Sequence, residues 1–338
     1  MKPITIAGAG LAGLSLANTL QAAGVATTLH EAHTLPRHRV CGEFICGKGA
    51  DSLARQGLSD TIAGAHPHRS IEWFVRARCV LKSTLPSPAY GISRYETDQR
   101  LANRFEAAGG RLICQSRWSV APENGVVNCS GRQSTRSDWI GLKLHSQNFV
   151  TSADLEMHMG DQGYIGLSGI EHGRTNICAL FKLRPDVCSS KKTLLLAYLR
   201  ACGLTHLAER IGASQIDPLS HVGVAGIAFS QLPAPRPGSL QLGDAYSVIP
   251  PFTGNGMSIA IESAEIAHPI LMDYANGMLS WNDACRSIHL ECRQRFKSRL
   301  KVAQALHPWL TQSKRHKVLV ALGAAKMLPF RLLYALTH

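Results

Sequence analysis

Ile4-Thr5-Ile6-Ala7-Gly8-Ala9-Gly10-Leu11-Ala12-Gly13 is the stretch that decides the architecture of this chain. The residues before Gly8 read as a short buried strand ending at Ala7. A helix follows from Leu11 to about Ala23, with Gly24 as its C-terminal stop. Gly8 permits the tight turn, Gly10 lets a pyrophosphate approach the backbone, and Gly13 lets helix and strand pack closely. The helix N-terminus offers free N–H groups and the positive end of its dipole to the same phosphates. A second strand, Ala26-Thr27-Thr28-Leu29-His30, runs into Glu31 and Ala32. That carboxylate falls about 20 residues past the glycines, where a ribose hydroxyl needs an acceptor. Strand, turn, helix, strand and acid together read as a dinucleotide-binding unit.

A second glycine-rich turn lies far along the chain. Ser239-Leu240-Gln241-Leu242 reads as a strand, which puts Asp244 of Gly243-Asp244-Ala245 at its carboxyl end, where ligands bind in open α/β sheets. After Ile249-Pro250-Pro251-Phe252-Thr253, the run Gly254-Asn255-Gly256-Met257 opens a helix through Ile259, Ile261 and Ala264 to a break at Pro269. Its amide groups can face an electron-rich ring carbonyl, and its dipole favours an anionic reduced flavin. The two turns together point to a large flavin cofactor, FAD, held from both ends.

Four segments, in this order, carry a family resemblance: Gly8–Gly13 with Glu31; Val40-Cys41-Gly42-Glu43; Ile92-Ser93-Arg94-Tyr95-Glu96-Thr97-Asp98; and Gly243 to Met257. The chain resembles the FAD-dependent superfamily that includes geranylgeranyl reductases, aromatic hydroxylases of the p-hydroxybenzoate type and flavin-dependent halogenases. The resemblance spans roughly residues 1–270. It implies FAD contacts from Gly8, Gly10, Leu11, Ala12, Gly13, Glu31, Ala32, Val40, Cys41, Gly42, Arg94, Gly131, Gly243, Asp244, Gly254, Asn255, Gly256 and Met257. The Cys-Gly-Glu and Arg-x-x-x-Asp steps are most similar to the geranylgeranyl reductase branch. Departures are equally plain. Many hydroxylases of this group carry an Asp-Gly pair where this chain reads Val126-Val127-Asn128-Cys129-Ser130-Gly131-Arg132. The reductases' Tyr-x-Trp-x-Phe-Pro pattern is reduced to the tyrosine of Gly163-Tyr164-Ile165-Gly166-Leu167-Ser168. The halogenases' Trp-x-Trp-x-Ile-Pro signature has no counterpart, and the surroundings of Lys48 do not match those of the halogenase lysine.

The expected fold class is α/β: a Rossmann-like FAD-binding domain beside a mostly antiparallel β substrate domain, followed by a C-terminal helical segment. Residues 1–65, 93–137 and 236–280 are assigned to the discontinuous FAD-binding domain, 66–92 and 138–235 to the substrate domain, and 281–338 to the basic helical segment. Within them the pattern predicts a helix around Arg100 to Ala108, one alternating strand from Ile71 to Ser83, and a helix from Leu194 toward Ile211. Pro233 to Gly238 reads as a return linker. His145 and Tyr164 fall on the expected substrate sheet and are the candidates for positioning a substrate hydroxyl. No catalytic residue is assigned.

The 338 residues, 45% of them apolar, suffice for a substantial core. The ten cysteines form no Cys-x-x-Cys pair and the fifteen histidines no His-x-x-x-His pattern, so neither a metal site nor a disulfide framework is expected. Residues 1–25 are taken up by the first strand and turn, which leaves no signal peptide and points to the cytoplasm. Charge is uneven. Residues 292–338 hold ten basic residues and no acid, against a formal net charge of +13 for the chain. The apolar run Val318–Leu336 is broken by Lys326, Pro329 and Arg331, too short-pieced for a span. Apolar faces with basic flanks suit the surface of an anionic membrane; the alternative is a helical tail packed on the core with a solvated basic face. No nucleic-acid module is visible.

One dinucleotide fingerprint means NAD(P)H has no domain of its own: it visits transiently, or a separate reductase supplies electrons. The expected activity is a monooxygenase acting on a small hydrophobic, phenolic or isoprenoid, biosynthetic intermediate. The alternative is a reductase saturating prenyl double bonds. Halogenation and a non-catalytic flavin-binding role rank below both.

Overall fold

The computed structural model describes residues 1–118, 123–132, 136–229, 234 and 236–338. In chain order these form β1 (Ile4–Ala7), α1 (Leu11–Ala22), β2 (Thr27–His30), β3 (Phe44–Cys46), α2 (Gly47–Arg55), β4 (His66–Val75), β5 (Arg78–Gly91), α3 (Arg94–Ala107), β6 (Arg111–Ile113) and β7 (Val126–Asn128). Then follow β8 (Trp139–Gln147), β9 (Leu155–Gly160), β10 (Gly163–Gly169), β11 (Arg174–Lys182), α4 (Leu194–Ala201), α5 (Thr205–Gly212), β12 (Gln215–Ile216), β13 (Val222–Ala225) and β14 (Leu240–Gln241). The chain continues through α6 (Asn255–Ala275), α7 (Trp281–Thr311), α8 (Ser313–Ala324) and α9 (Phe330–Thr337).

Two sheets organise these elements. The first is parallel, in the order β14-β7-β1-β2-β6, with α1, α3 and α6 packed together beside it. Its strands are short, and the inner ones, β7, β1 and β2, are mostly buried, as expected of strands covered on both faces. The second runs β12-β8-β11-β10-β9-β4-β5-β3, with β13 also on β8; it is antiparallel except where β4 and β9 run parallel. β3, from within residues 1–65, pairs with β5 of this second sheet. One face of the second sheet is closed by α4 and α5, where Leu144, Ile165, Ile177 and Phe181 meet Leu199, Leu207 and Ile211. The opposite face carries Met157, Met159, Tyr164 and Leu180 against Leu310 of α7 and Leu319 of α8.

Several expected boundaries moved. The helix placed at Arg100 begins at Arg94, because Ser93 caps it by accepting from the Glu96 N–H at 3.1 Å. The single strand Ile71–Ser83 is a hairpin of β4 and β5, turned by Arg76 at φ 54° without any glycine or proline to mark it. Pro269 does not end α6, which continues to Ala275 on the buried side chains of Leu271, Tyr274 and Ala275; a proline removes one N–H, and packing outweighs that loss here. The helix expected from Leu194 toward Ile211 is two, parted at Cys202-Gly203, with Gly203 at φ 79°. Of the return linker, Pro233 and Pro235 lie outside the described residues. Among the described residues no helix is long and apolar enough to cross a membrane.

Candidate active site

At the C-terminal edge of the parallel sheet, the turn between β1 and α1 is shaped by backbone crowding. Gly8 sits at φ 108°, and a Cβ there would lie 2.3 Å from the Cys129 carbonyl oxygen. A Cβ on Gly13 would lie 2.0 Å from the Gly8 carbonyl oxygen. Gly10 differs: a Cβ there would come no nearer than 3.6 Å to Arg94 Nη2, so space is left above its backbone with a guanidinium on the far side. Helix α1 has no side-chain cap and no acid in its first turn, which leaves the Leu11, Ala12 and Gly13 N–H groups to a ligand. The Leu11 and Ala12 side chains face the core, and Ala12 packs on Gly243. Glu31 is buried at the end of β2 and accepts from the Ala9 N–H at 2.9 Å and the His33 N–H at 3.1 Å. A carboxylate has about four lone-pair sites, so it retains room for a hydroxyl. Ala32 follows, half-buried.

Arg94 lies beside this turn and is gripped by Asp98, with Nε and Nη2 each donating at 2.8 Å. Burial disfavours its charge, but Asp98 overrides that and holds the guanidinium above its ordinary pKa. Asp244 is reached by solvent yet closely walled by protein, and this crowding lifts its carboxyl above the usual range while Arg94, Arg132 and Arg39 pull it down. A Cβ on Gly131 or on Gly256 would meet nothing within 4 Å, so the backbone is open at both. Gly254 is at φ 69°, with a Cβ there 2.1 Å from the Phe44 ring. Met257 is buried in the core, and the Asn255 side chain is committed elsewhere, donating from Nδ2 to the Thr337 carbonyl of α9 at 2.6 Å.

The Val40-Cys41-Gly42-Glu43 loop crosses from this turn to the second sheet. Asn176 Nδ2 donates to the Cys41 and Gly42 carbonyls at 3.1 and 2.8 Å, and Ser168 Oγ donates to Gly42 at 2.8 Å. Val40 abuts Gly141 on β8. Glu43 adopts φ 53°, a left-handed conformation that costs a non-glycine residue of order 1–3 kcal/mol unless its surroundings enforce it. They do: Lys143 Nζ donates to Glu43 Oε1 at 2.8 Å, His145 Nε2 lies 2.6 Å from Oε2, and the Arg94 N–H donates to Oε1 at 3.0 Å. Glu43, Lys143 and His145 all have fully buried side chains. Burial would raise the Glu43 pKa, but Lys143 and then His145 outweigh it and bring it down to about 2.

Among the described residues, His145 Nδ1 is buried without a hydrogen-bond partner. One ligating atom each from His38, His145 and Asp217 lie within 4.8 Å of one another. The Lys143 ammonium, 3.4 Å from His38 Nδ1, opposes a divalent cation there, so we read the three as a proton-holding group. Burial, then Lys143, lowers His38 to about 4. His38 stacks on Tyr95, which is exposed, and so connects the buried cluster to the surface.

Tyr164 shares the sheet face of His145 at a distance. Directly opposed residues share a face: His145, Asn176 and Ser168 form one row, and Gly141, Leu180 and Tyr164 another. The rows are about 13 Å apart along the strands. Tyr164 belongs to the apolar end, near Phe252 and His307, and its side chain is buried there. Glu43, Lys143, His38 and Asp217 had no assigned role from sequence. The signal was present in Ile140-Gly141-Leu142-Lys143-Leu144-His145, whose period of two puts Lys143 and His145 on one face of β8.

Residues 1–119 match the family model described as FAD binding domain. The whole fold superposes on solved flavoenzymes of low sequence identity. PqsL of Pseudomonas aeruginosa, described as a probable FAD-dependent monooxygenase and solved with 2-aminobenzoylacetate, aligns over 96% of this chain and 99% of that one, at TM-score 0.75 and 14% identity. HpxO of Klebsiella pneumoniae, solved with FAD and uric acid, covers 99% and 96% at TM-score 0.74 and 16% identity. 2-Methyl-3-hydroxypyridine-5-carboxylic acid oxygenase covers 98% of each chain at TM-score 0.71 and 18% identity. No curated protein matches the sequence. The chain carries an FAD binding domain and has the fold of the FAD-dependent oxidoreductase superfamily, with the monooxygenases among its structural relatives.

Proposed function

We propose that the protein is an FAD-dependent monooxygenase that hydroxylates a small hydrophobic, ring-bearing substrate, with NAD(P)H as a visiting electron donor. The observation that carries this reading is the FAD binding domain continued, over nearly full length, in the fold of flavin monooxygenases. The open backbone at Gly10, Gly131 and Gly256 fits the dinucleotide. The free amides of α1 and the Arg94 guanidinium would hold its pyrophosphate, Glu31 the adenosine ribose, and Asp244 a ribityl hydroxyl. FAD, when bound, supplies the activation of dioxygen and the transfer of one oxygen atom.

The chain's own part is to orient substrate, exclude water and move a proton. An ionised Glu43 fixes the proton of His145 on Nε2, which leaves Nδ1 as the acceptor for an acidic proton. Lys143 keeps Glu43 charged and so keeps that tautomer. His38 and Asp217 give the proton a path to the surface at Tyr95. The apolar end around Tyr164, Met157 and Leu180 suits the hydrocarbon part of a substrate.

Anaerobic reduction with NADPH, followed by isotopically labelled dioxygen in the presence of candidate phenols, tests the assignment. Incorporation of one labelled oxygen into product is expected. Flavin oxidation coupled to loss of a prenyl double bond, with no label incorporated, would instead establish the reductase. Failure of both NADPH and chemically reduced flavin to turn over any candidate would favour a binding role.

A further inference from the structure

The last helices point apolar side chains in two directions. Inward, Leu310, Leu319 and Phe330 are buried against the second sheet and its neighbours. Outward, Leu332 and Leu336 of α9 are 59% and 45% exposed, and Met327 just before the helix is 67% exposed. Residues three and four apart share a helix face, so Leu332, Ala335 and Leu336 form one stripe, and all three are exposed. Ordinary surface helices turn the polar side outward. On α8, Lys314, Lys317, Val318 and Ala321 are exposed at the same three- and four-residue spacing.

The charge carried by these helices themselves has one sign, although Asp161 accepts from Ser313 Oγ at 2.6 Å at the start of α8. No acid occurs in residues 292–338, and Lys314, Lys317, Lys326 and Arg331 are all exposed. Ala335 and Leu336 also border a cavity of about 500 Å³ that opens to Lys48 and Arg295; Glu291 is the acid on its wall, and Arg299 is neutralised by Glu262 at 2.7 Å. A second copy of the chain would meet this cationic patch with its own in a two-fold interface, which is repulsive. Nucleic acid would use the cations and leave the apolar stripe in water. An anionic bilayer satisfies both, with the stripe at the acyl boundary and the cations among the headgroups.

We infer that α8 and α9 form a docking surface for an anionic lipid bilayer. This placement does not depend on the reaction catalysed. It is tested with the full FAD-loaded chain and sedimenting vesicles of phosphatidylcholine, alone or mixed with phosphatidylglycerol. Binding to the anionic vesicles is expected, falling with salt because the Debye length is only about 8 Å at physiological ionic strength. The triple variant Lys314→Gln/Lys317→Gln/Arg331→Gln should weaken it on the order of a hundredfold, since each basic residue near such a surface is worth about fivefold. Leu332→Asp/Leu336→Asp should weaken it with all charges in place. FAD absorbance and thermal midpoint should stay at wild-type values in both variants, as the altered side chains are exposed. Equal binding to neutral and anionic vesicles would overturn the inference, as would retention of binding in both variants. Competition of binding by inorganic phosphate alone would reassign the cations to a soluble anion. A concentration-dependent dimer in light scattering that Leu332→Asp/Leu336→Asp dissolves would reassign the stripe to self-association.

Discussion

Lys143→Met tests the centre of the site. The Lys143 side chain is fully buried, and its Nζ donates to Glu43 Oε1 at 2.8 Å. Methionine keeps the length and apolar volume of the stem but removes the ammonium, so Glu43 is left with His145 and the Arg94 N–H. Breaking one side of a buried pair typically costs 3–5 kcal/mol, because the remaining charge is uncompensated. The carboxyl's own titration gives a similar scale: bringing Glu43 from an ordinary 4.5 to about 2 corresponds to roughly 3 kcal/mol. For a depressed carboxyl this stability is fully present above about pH 4.5 and is lost as pH falls toward 2. Urea unfolding of the FAD-loaded protein at neutral pH should therefore show a loss of about 3–5 kcal/mol for Lys143→Met. Acid unfolding of that variant should begin at higher pH, since burial then governs Glu43. Adding Glu43→Gln should recover much of the loss by removing the orphaned charge, and the double-mutant cycle isolates the coupling. A cost below about 1 kcal/mol for Lys143→Met, or a coupling within about 0.5 kcal/mol of zero, would refute the buried ion pair.

Gly10→Val and Gly13→Ala should separate cofactor binding from folding. The first adds bulk into open space beside Arg94 and should abolish FAD uptake while leaving apo thermal stability near wild type; the second drives a Cβ to 2.0 Å from the Gly8 carbonyl and should destabilise the fold itself. Asp244→Ala should weaken FAD binding by about 1.5–3 kcal/mol, the scale of a hydrogen bond to a charged group, measured by fluorescence titration. Glu31→Ala should weaken FAD comparably and also lower apo stability, since Glu31 holds the Ala9 and His33 amides. Unchanged dissociation constants in both would show that these carboxylates only brace their turns. His38→Phe should reduce acid sensitivity: a histidine lowered to about 4 withdraws stability as pH falls below its unfolded value of about 6.5, and a urea series between pH 7 and 4 should show a flatter slope in the variant.

The nucleotide half was legible because its constraints are local. Gly8 and Gly13 are dictated by the path of one turn, Gly10 keeps the space beside it open, and Glu31 follows the neighbouring strand; turn and strand lie where the spacing requires. The parallel sheet and the change to a second, largely antiparallel sheet were likewise written in short apolar runs and alternation. What the sequence concealed was what long-range packing decides. The turn at Arg76 carries no glycine, so a hairpin read as one strand. Pro269 signals a break that buried neighbours in α6 override. The motif containing Glu43 was visible, but its partners Lys143 and His145 lie a hundred or more residues away on β8. Only the register of the second sheet brings them together. His145 was found for its sheet position, and Lys143 at i−2 on the same face passed unread.

The proposed docking surface is tied by a hydrogen bond to the start of α6. Asn255 opens α6, the helix that the sequence assigns to the flavin, yet its side chain is committed to α9. It donates to the carbonyl of Thr337 at the far end of α9, while Tyr334 of the same helix shares a hydrogen bond with Ser87 on β5 at 3.0 Å. Helix α9 is thus fastened on one side to the start of α6 and on another to the second sheet, and its third side is the exposed apolar stripe. A helix of eight residues with an apolar outer face has little stability of its own. Its order rests on these attachments, so a bilayer that covers Leu332 and Leu336 would act on a helix already tied to the N-terminus of α6. The residue that the sequence marked as a cofactor contact thus uses its side chain to hold α9.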